Sequence, residues 1–439
     1  MTTLLSFLFV LGVLIFVHEL GHFLAARRLG VRVLTFSLGF GPKLFTVKRG
    51  DTDYCISLIP LGGYVKMAGD TVEDSLAGKP DEFMSKTKWE RFQILIAGPV
   101  MNILLAFVVT TVVLLQGTEV PAFEEETPVL GGVIAGSPAA KAGLQRGDTI
   151  LTAAGEKVAT WNALNLAIAI RPAKNVTLTV DRAGQPVTVT LQTTAETKYQ
   201  IGSIGVLPDI NPIIRSAIPG DPADKAGLKA GDAVVAVDGE RVVLSSDLVR
   251  EVSKRGGKTI AITIRRDGQE LQIPVTPVFR DNRGMIGVTT SEATRSFQPG
   301  PLQAISLSAQ RTVEGSGLIF KTIGMLLSGD ASPKQLMGPV AIAQLSGESA
   351  QAGWVALFAL MSMVSLNLGV LNLMPIPVLD GGHILILLLE GVARRDFSAR
   401  VKERMLTAGF VVLMTLMVTV IYNDLARISW IEGLMPWRN

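Results

Sequence analysis

The sequence predicts a polytopic α-helical membrane protein carrying a polar insert. Three observations predict it: four long apolar runs near the two ends, a more polar middle that contains an internal repeat, and a composition of 48% hydrophobic but only 18% charged residues. A soluble chain of 439 residues could bury one or two cores, but about a quarter of its residues would normally be charged. The formal charge of +3, with no compact basic stripe and no aromatic-basic interleaving, argues against nucleic acid as a partner. Cys55 is the single cysteine, which excludes an intrachain disulfide framework and a thiolate zinc cage. His18, His22 and His383 are the only histidines, so any imidazole chemistry must use them.

The first span covers residues 3–26, nearly all Leu, Phe, Val and Ala but broken by His18, Glu19 and His22. No Lys or Arg precedes Arg27, as a secretory leader would require, so it reads as a retained span. The second covers 94–115, the third 354–374 and the fourth 406–421. HILILLLEGV, after a Pro-Gly break, reads as a kinked or discontinuous continuation of the third. Arg27, Arg28, Arg32, Lys43, Lys48 and Arg49 follow the first span, Lys86, Lys88 and Arg91 precede the second, and Arg394, Arg395, Arg400, Lys402 and Arg404 separate the third from the fourth. The positive-inside rule then places these connections in the cytoplasm and both termini and the insert outside.

Between the first two spans, residues 34–69 are rich in β-branched and aromatic residues with glycine punctuation and a turn-like Arg-Gly-Asp at 49–51. This predicts hairpin strands close to the bilayer, whose backbone must be covered by protein or face a wet cavity wherever it enters the hydrocarbon. In the middle, SPAAKAGLQRGDTI starts at Ser137 and DPADKAGLKAGDAV at Asp221, 84 positions apart. The same offset aligns Gly155 and Glu156 with Gly239 and Glu240, and Arg182, Gly184 and Gln185 with Arg266, Gly268 and Gln269. Two copies of one α+β module are expected, each with a short helix, a strand, a second helix and an alternating strand pair. They resemble the PDZ family of bacterial envelope proteases, which implies a strand edge offered to extended peptides or peptide termini. Residues 300–329 have apolar positions at helical spacing and read as juxtamembrane helices. The domains are therefore 1–115 (membrane region with hairpins), 116–205 and 206–290 (the two PDZ-like modules), 291–350 (amphipathic helices) and 351–439 (C-terminal membrane region).

His18-Glu19-Leu20-Gly21-His22 is an HExxH motif. Residues four apart share a helix face, so both imidazoles reach one ion and Glu19 reaches a water beside it. Imidazole nitrogens suit zinc. The motif's place inside an apolar span, where ionisable groups are costly, points to function. A third ligand must come from elsewhere, and NLMPIPVLDGGH at 372–383 is the comparable polar cluster in the other spans. Asp380 and His383 compete for that place; a buried carboxylate has the greater need of a cation. Pro375 and Pro377 interrupt helical hydrogen bonding and open the backbone to a substrate, and Gly381 and Gly382 permit close approach.

With HELGH, GPVMN at 98–102, the paired modules and NLMPIPVLDGGH together, the chain resembles the site-2 protease family, in its bacterial regulator-of-sigma-E branch, over nearly its whole length. The resemblance implies a zinc intramembrane endopeptidase with His18, His22 and Asp380 as ligands and Glu19 as acid-base. It implies that Asn372, Pro375, Pro377 and Asn102 serve the substrate or the tetrahedral intermediate; His383, once out of the ligand set, is by its own chemistry an outer donor or a packed polar residue near the cytosolic edge. It also implies a membrane-reentrant hairpin within 37–67 that pairs with an unwound substrate, through Gly62, Gly63 and Tyr64. The implied substrates are single-pass membrane proteins, anti-sigma factors and remnant signal peptides, and the implied location is the bacterial inner membrane with the modules in the periplasm.

Overall fold

The computed structural model describes residues 2–70, 78–121, 123–196, 200–280, 283–291, 294–331 and 333–426. In chain order these form helix α1 (Thr2–Arg28), strands β1 (Val33–Arg49) and β2 (Thr52–Met67), and helices α2 (Lys88–Leu115), α3 (Pro138–Lys141), α4 (Trp161–Ala169), α5 (Pro222–Lys225), α6 (Ser245–Ser253), α7 (Pro301–Ser328), α8 (Pro339–Ala352), α9 (Trp354–Asn372), α10 (Asp380–Val392) and α11 (Ala399–Ala426). Shorter strands lie between α2 and α7. The chain divides into two compact units, one of Met1–Gly117, Gln298–Ser328 and Leu336–Asn439, the other of Thr118–Phe297 and Gly329–Gln335.

In the first unit α1, α2, α9 and α11 are long and apolar enough to cross a membrane. Exposed Phe410, Val411, Val412 and Val418 on α11 lie on a surface that water would not tolerate but lipid would. Small residues let the backbones approach. A Cβ on Gly21 of α1 would lie 2.7 Å from the Ala97 carbonyl carbon, and one on Gly369 of α9 would lie 2.9 Å from the Pro99 carbonyl oxygen of α2. Polar contacts fix the α2–α9 seam: Ser362 and Ser365 donate to the carbonyls of Ala106 and Asn102 at 2.8 and 2.7 Å.

Of the two forms expected for HILILLLEGV, kinked or discontinuous, the helix at 380–392 is the discontinuous one. α9 stops at Asn372 because the following turn holds Pro375 and Pro377, which cannot donate, and Val378 at φ +95°. α10 then starts afresh, and at about 1.5 Å per residue it is too short to cross a hydrocarbon layer of roughly 30 Å.

β1 and β2 form one folded-over hairpin. Residues 35–38 are matched on one side to 63–66 and on the other to 53–56, while 43–49 pair with 52–57. Residues 63–67 thus lie at an edge, against α1, where a Cβ on Gly63 would lie 2.8 Å from Ile15 Cγ2 and 2.9 Å from Glu19 Cγ. Phe40, Leu44, Phe45, Val47, Ile56 and Leu58 are exposed on this sheet.

The second unit contains two stretches of the same element order. α3, strand Thr149–Ala153, α4 and the hairpin Asn175–Arg182/Gln185–Gln192 recur as α5, strand Ala233–Val237, α6 and the hairpin Ile260–Arg266/Gln269–Val275. Each has its own core, around Ile150, Leu164 and Leu178 in the first and Val234, Leu248 and Ile262 in the second. Matching ion pairs tie each hairpin to the loop before its first strand: Arg182 to Asp148 at 2.7 Å and Arg266 to Asp232 at 2.6 Å. Burial pushes the Asp232 carboxyl up, but the hydrogen bonds from Arg266 and the Lys229 amide, with the charges of both residues, together hold it below its ordinary range; at Asp148 the Arg182 hydrogen bond is the largest influence and lowers the carboxyl against its burial. Strand Val206–Pro208 pairs with Leu130–Val133, so the first stretch runs past the expected boundary at 205. Thr294–Phe297 returns to pair with Thr118–Pro121, which puts the start of the helical segment after 297 rather than at 291.

Candidate metal centre

α1 presents His18, Glu19 and His22 on consecutive turns, and Asp380 opens α10 opposite them. The ligand atoms of His18, His22 and Asp380 lie within 4.8 Å of one another. His18 Nε2 is 3.1 Å from Asp380 Oδ2, His22 Nε2 is 3.5 Å from Oδ1, and the two Nε2 atoms are 3.2 Å apart.

The neighbours of the imidazoles decide what this geometry holds. His22 Nδ1 lies 2.8 Å from the Ile94 carbonyl oxygen. That oxygen can only accept, so Nδ1 carries the ring proton and, in the neutral ring, Nε2 presents a lone pair to the cluster. On the other ring, His18 Nδ1 meets the Asn102 amide nitrogen at 3.2 Å, while Asn102 Oδ1 is buried with no partner. Turning the amide over gives that acceptor the Nδ1 proton and leaves His18 Nε2 bare as well. Two lone pairs and a carboxylate then converge with no proton to share, an arrangement that needs a cation between them. Two nitrogens and one carboxylate oxygen suit zinc and leave a coordination position open. The residues present fit the metal.

A cavity of about 320 Å³ opens on the cluster, lined by Glu19, Tyr64, Val65, Leu95 and His383 among others. Glu19 is half-buried on its wall and outside the ligand group. Gly63 and Tyr64 line the same cavity, whereas Gly62, at φ +116°, packs on the Phe40 ring, which stacks on Tyr64 at 6.2 Å. His383 is exposed and lines the cavity without joining the ligand group. Asn372, Pro375 and Pro377 lie in and beside the turn beneath α10, where a Cβ on Gly382 would lie 2.5 Å from Pro377 Cα and 2.6 Å from the Ile376 carbonyl carbon. Asn102, expected at the substrate, instead has no exposed surface and stands behind His18.

Sequence reasoning passed over the Ile94 carbonyl and Gly98. A Cβ on Gly98 would lie 2.7 Å from His22 Cε1, so only glycine lets this ring lie flat on α2. The available signal was GPVMN itself: glycine and proline adjoining inside an apolar helix have a packing reason.

Paired imidazoles and a carboxylate brought together from two helices of an apolar bundle, with a spare glutamate on the cavity wall, are the equipment of a metallopeptidase that works inside a membrane. Comparison with known proteins carries this further. The model of peptidase family M50 matches residues 6–416, and the chain belongs to that family. It is 35% identical to the regulator of sigma-E protease RseP of Escherichia coli K12, over 97% of this chain and 98% of that one. It is also 35% identical to protease RseP of Yersinia pestis, over 97% and 99%. A solved PDZ domain from Listeria monocytogenes covers 18% of this chain and 86% of its own at 20% identity and a TM-score of 0.17, too slight a likeness to argue from. The chain is a zinc-dependent intramembrane protease and a multi-pass inner-membrane protein, acting on membrane-embedded proteins.

Proposed function

We propose that His18, His22 and Asp380 hold the zinc and that Glu19 is the catalytic acid-base. The observation that carries this is the convergence of both imidazoles and the Asp380 carboxylate, their ligand atoms within 4.8 Å of one another, with His22 Nδ1 held by the Ile94 carbonyl. When bound, the metal polarises the scissile carbonyl and makes a water more acidic. Glu19, on the cavity wall, takes the proton of the attacking water and returns it to the departing amine. Ile94 and Asn102 hold the two rings in register. Residues 63–67 give an unwound substrate an edge to pair with, beside Glu19, and the hairpin's exposed apolar face sits in lipid. Asn372 and the Pro375/Pro377 turn set the position of Asp380 and of the intermediate, and His383 stands outside the ligand sphere.

The substrate class is the single-pass membrane protein left after an outer domain has been removed. The relatives' name as regulators of sigma-E makes an anti-sigma factor the first choice and remnant signal peptides the second. The two repeated modules are PDZ-like, lie on the periplasmic side with both termini, and admit or bind peptide-sized ends. The basic clusters at 27–49, 86–91 and 394–404 support that orientation.

Glu19→Gln in the purified full chain is expected to keep about one zinc per chain while cleavage of a single-span reporter falls by roughly 100-fold or more. His18→Ala is expected to lose both. Normal cutting by Glu19→Gln overturns the assignment.

A further inference from the structure

A second cavity, of about 620 Å³, adjoins the metal site, and Asp70, Phe83, Leu95 and His383 line both. It runs along α10 from His383 to Glu390, and its opposite wall includes Arg91 on α2 and Lys402 on α11. At about 1.5 Å of rise per residue, Glu390 lies some 15 Å along α10 from Asp380. Arg91 sits one helical turn from Leu95 on the same face of α2. A peptide reaching from the metal past Leu95 into this cavity meets Arg91 close to the scissile bond.

The charges here are unevenly matched. Glu390 is 1% exposed, ion-paired with Lys402 at 2.7 Å and bonded to the Phe397 amide at 2.9 Å. Asp70 is engaged elsewhere, and Glu403 is exposed. Arg91 is 7% exposed, yet among the described residues it forms no ion pair. Its one hydrogen bond goes to the Met84 sulfur at 3.6 Å, a weak acceptor, and its Nε is buried with no partner at all. A guanidinium does not shed its proton, and burying it unpaired is among the costlier things a fold does. Asp396 acts on it only from beyond ion-pair distance, and that carboxylate is exposed and already paired with Lys88 at 3.0 Å.

We propose that Arg91 is a receptor for a peptide carboxylate in this second cavity, and that the cavity is the subsite for the stretch of chain next to the scissile bond. The inference rests on the protease reading, because hydrolysis of the C–N bond is what delivers a peptide here, leaving a new carboxylate on one fragment and an amine on the other. The carboxylate has two sources, that new C-terminus or an acidic side chain close to it, and the planar guanidinium fork suits either.

The test uses the full chain in detergent, both zinc-loaded and zinc-stripped, because zinc itself binds carboxylates. The probe is the last five residues of the N-terminal product of a single-span reporter, fluorescently labelled, as free acid and as C-terminal amide, with binding read by anisotropy. A second pair carries Glu or Gln as the third residue from the end, both amidated. The wild-type protein is expected to prefer the acid in one pair by about 10-fold, with or without zinc. Whichever pair shows the preference identifies the source. Arg91→Met is expected to abolish it while leaving the thermal midpoint unchanged or raised, since an unpaired buried charge is removed. Arg91→Lys keeps the charge and is expected to retain a reduced preference. Equal binding within both pairs by the wild-type protein overturns the proposal without any variant, as does a preference that survives in Arg91→Met. Either result leaves the protease reading standing, whereas a wild-type protein that fails to cut the reporter strikes that reading instead.

Discussion

Replacing Gly98 by alanine pushes a methyl group into the His22 ring. A Cβ on Gly98 would lie 2.7 Å from Cε1 and 2.8 Å from Cδ2, with Nε2 nearer still, where ordinary contact begins at 3.4 Å. The ring has to yield by the difference between 2.7 and 3.4 Å, about 0.7 Å, whereas metal–ligand distances tolerate only about 0.2 Å. It cannot move freely, because Ile94 holds its Nδ1 at 2.8 Å and the adjacent Gly21 already meets the Ala97 backbone. Losing a group that merely orients a ligand costs roughly 10- to 100-fold in metal affinity, so displacing the ligand itself is expected to cost about 100-fold or more. Zinc per chain, measured by mass spectrometry at a series of chelator-buffered free zinc concentrations, reads this directly, and reporter cleavage should fall in step. Gly12→Ala in α1 is the control: nothing lies within 4 Å of a Cβ there, so zinc affinity should be unchanged and stability should rise by at most about 1 kcal/mol. Wild-type zinc affinity in Gly98→Ala would refute the packing of His22 on α2 from which the lone-pair geometry follows.

Other outcomes follow from contacts away from the ligands. Asp424 of α11 accepts from the Gly338, Val340 and Ala341 amides at 3.0–3.1 Å and so caps α8; Asp424→Ala should cost about 2–4 kcal/mol and strip hydrogen-exchange protection from residues 338–342 first. Val378 stands at φ +95°, which a β-branched side chain resists, so Val378→Gly should raise the thermal midpoint by an amount worth roughly 1–2 kcal/mol; a lowered midpoint would show that the strain is not there. In the second unit the carboxyls of Asp148 and Asp232 titrate below their ordinary range, and Glu251, bonded by Arg255 and then Arg250, is pulled down to about 2. Groups depressed in the folded state stabilise it above their unfolded values, near 4, and cease to do so as pH falls through the folded ones. Hydrogen exchange in strands 175–182 and 260–266 should therefore accelerate between about pH 4 and pH 2, with no matching change between pH 5 and 8.

Much of this was legible in the chain because it is written in periodicity and residue type. Apolar runs of span length and an imidazole pair at i and i+4 are local signals, and they marked four membrane helices and the His18/His22 pair; between Asp380 and His383 the residues alone left the choice open, and the family resemblance made it. What was not legible depends on contacts between distant segments. No local signal says that the hairpin folds over so that residues 35–38 acquire neighbours on both sides, because register is set by packing across the sheet. Likewise the closing strand at 206–208 belongs with 130–133, which no sequence offset announces, and so the expected boundary fell short.

Asn102 shows the same limit at the site itself. The family resemblance singled it out, but the choice between touching substrate and touching a ligand depends on which neighbour the helix turns it toward. Its backbone carbonyl accepts from Ser365 of α9 and its side chain meets His18 of α1, so one residue fixes three helices around the metal position. A substrate-facing role needs exposed surface, and Asn102 has none. Its loss should therefore loosen metal binding before it alters substrate preference: Asn102→Leu is expected to lower zinc affinity by roughly 10- to 100-fold. Once zinc is restored in excess, the ratio of cleavage rates between two reporter sequences should be that of the wild-type protein, and a shifted ratio would put the side chain back at the substrate.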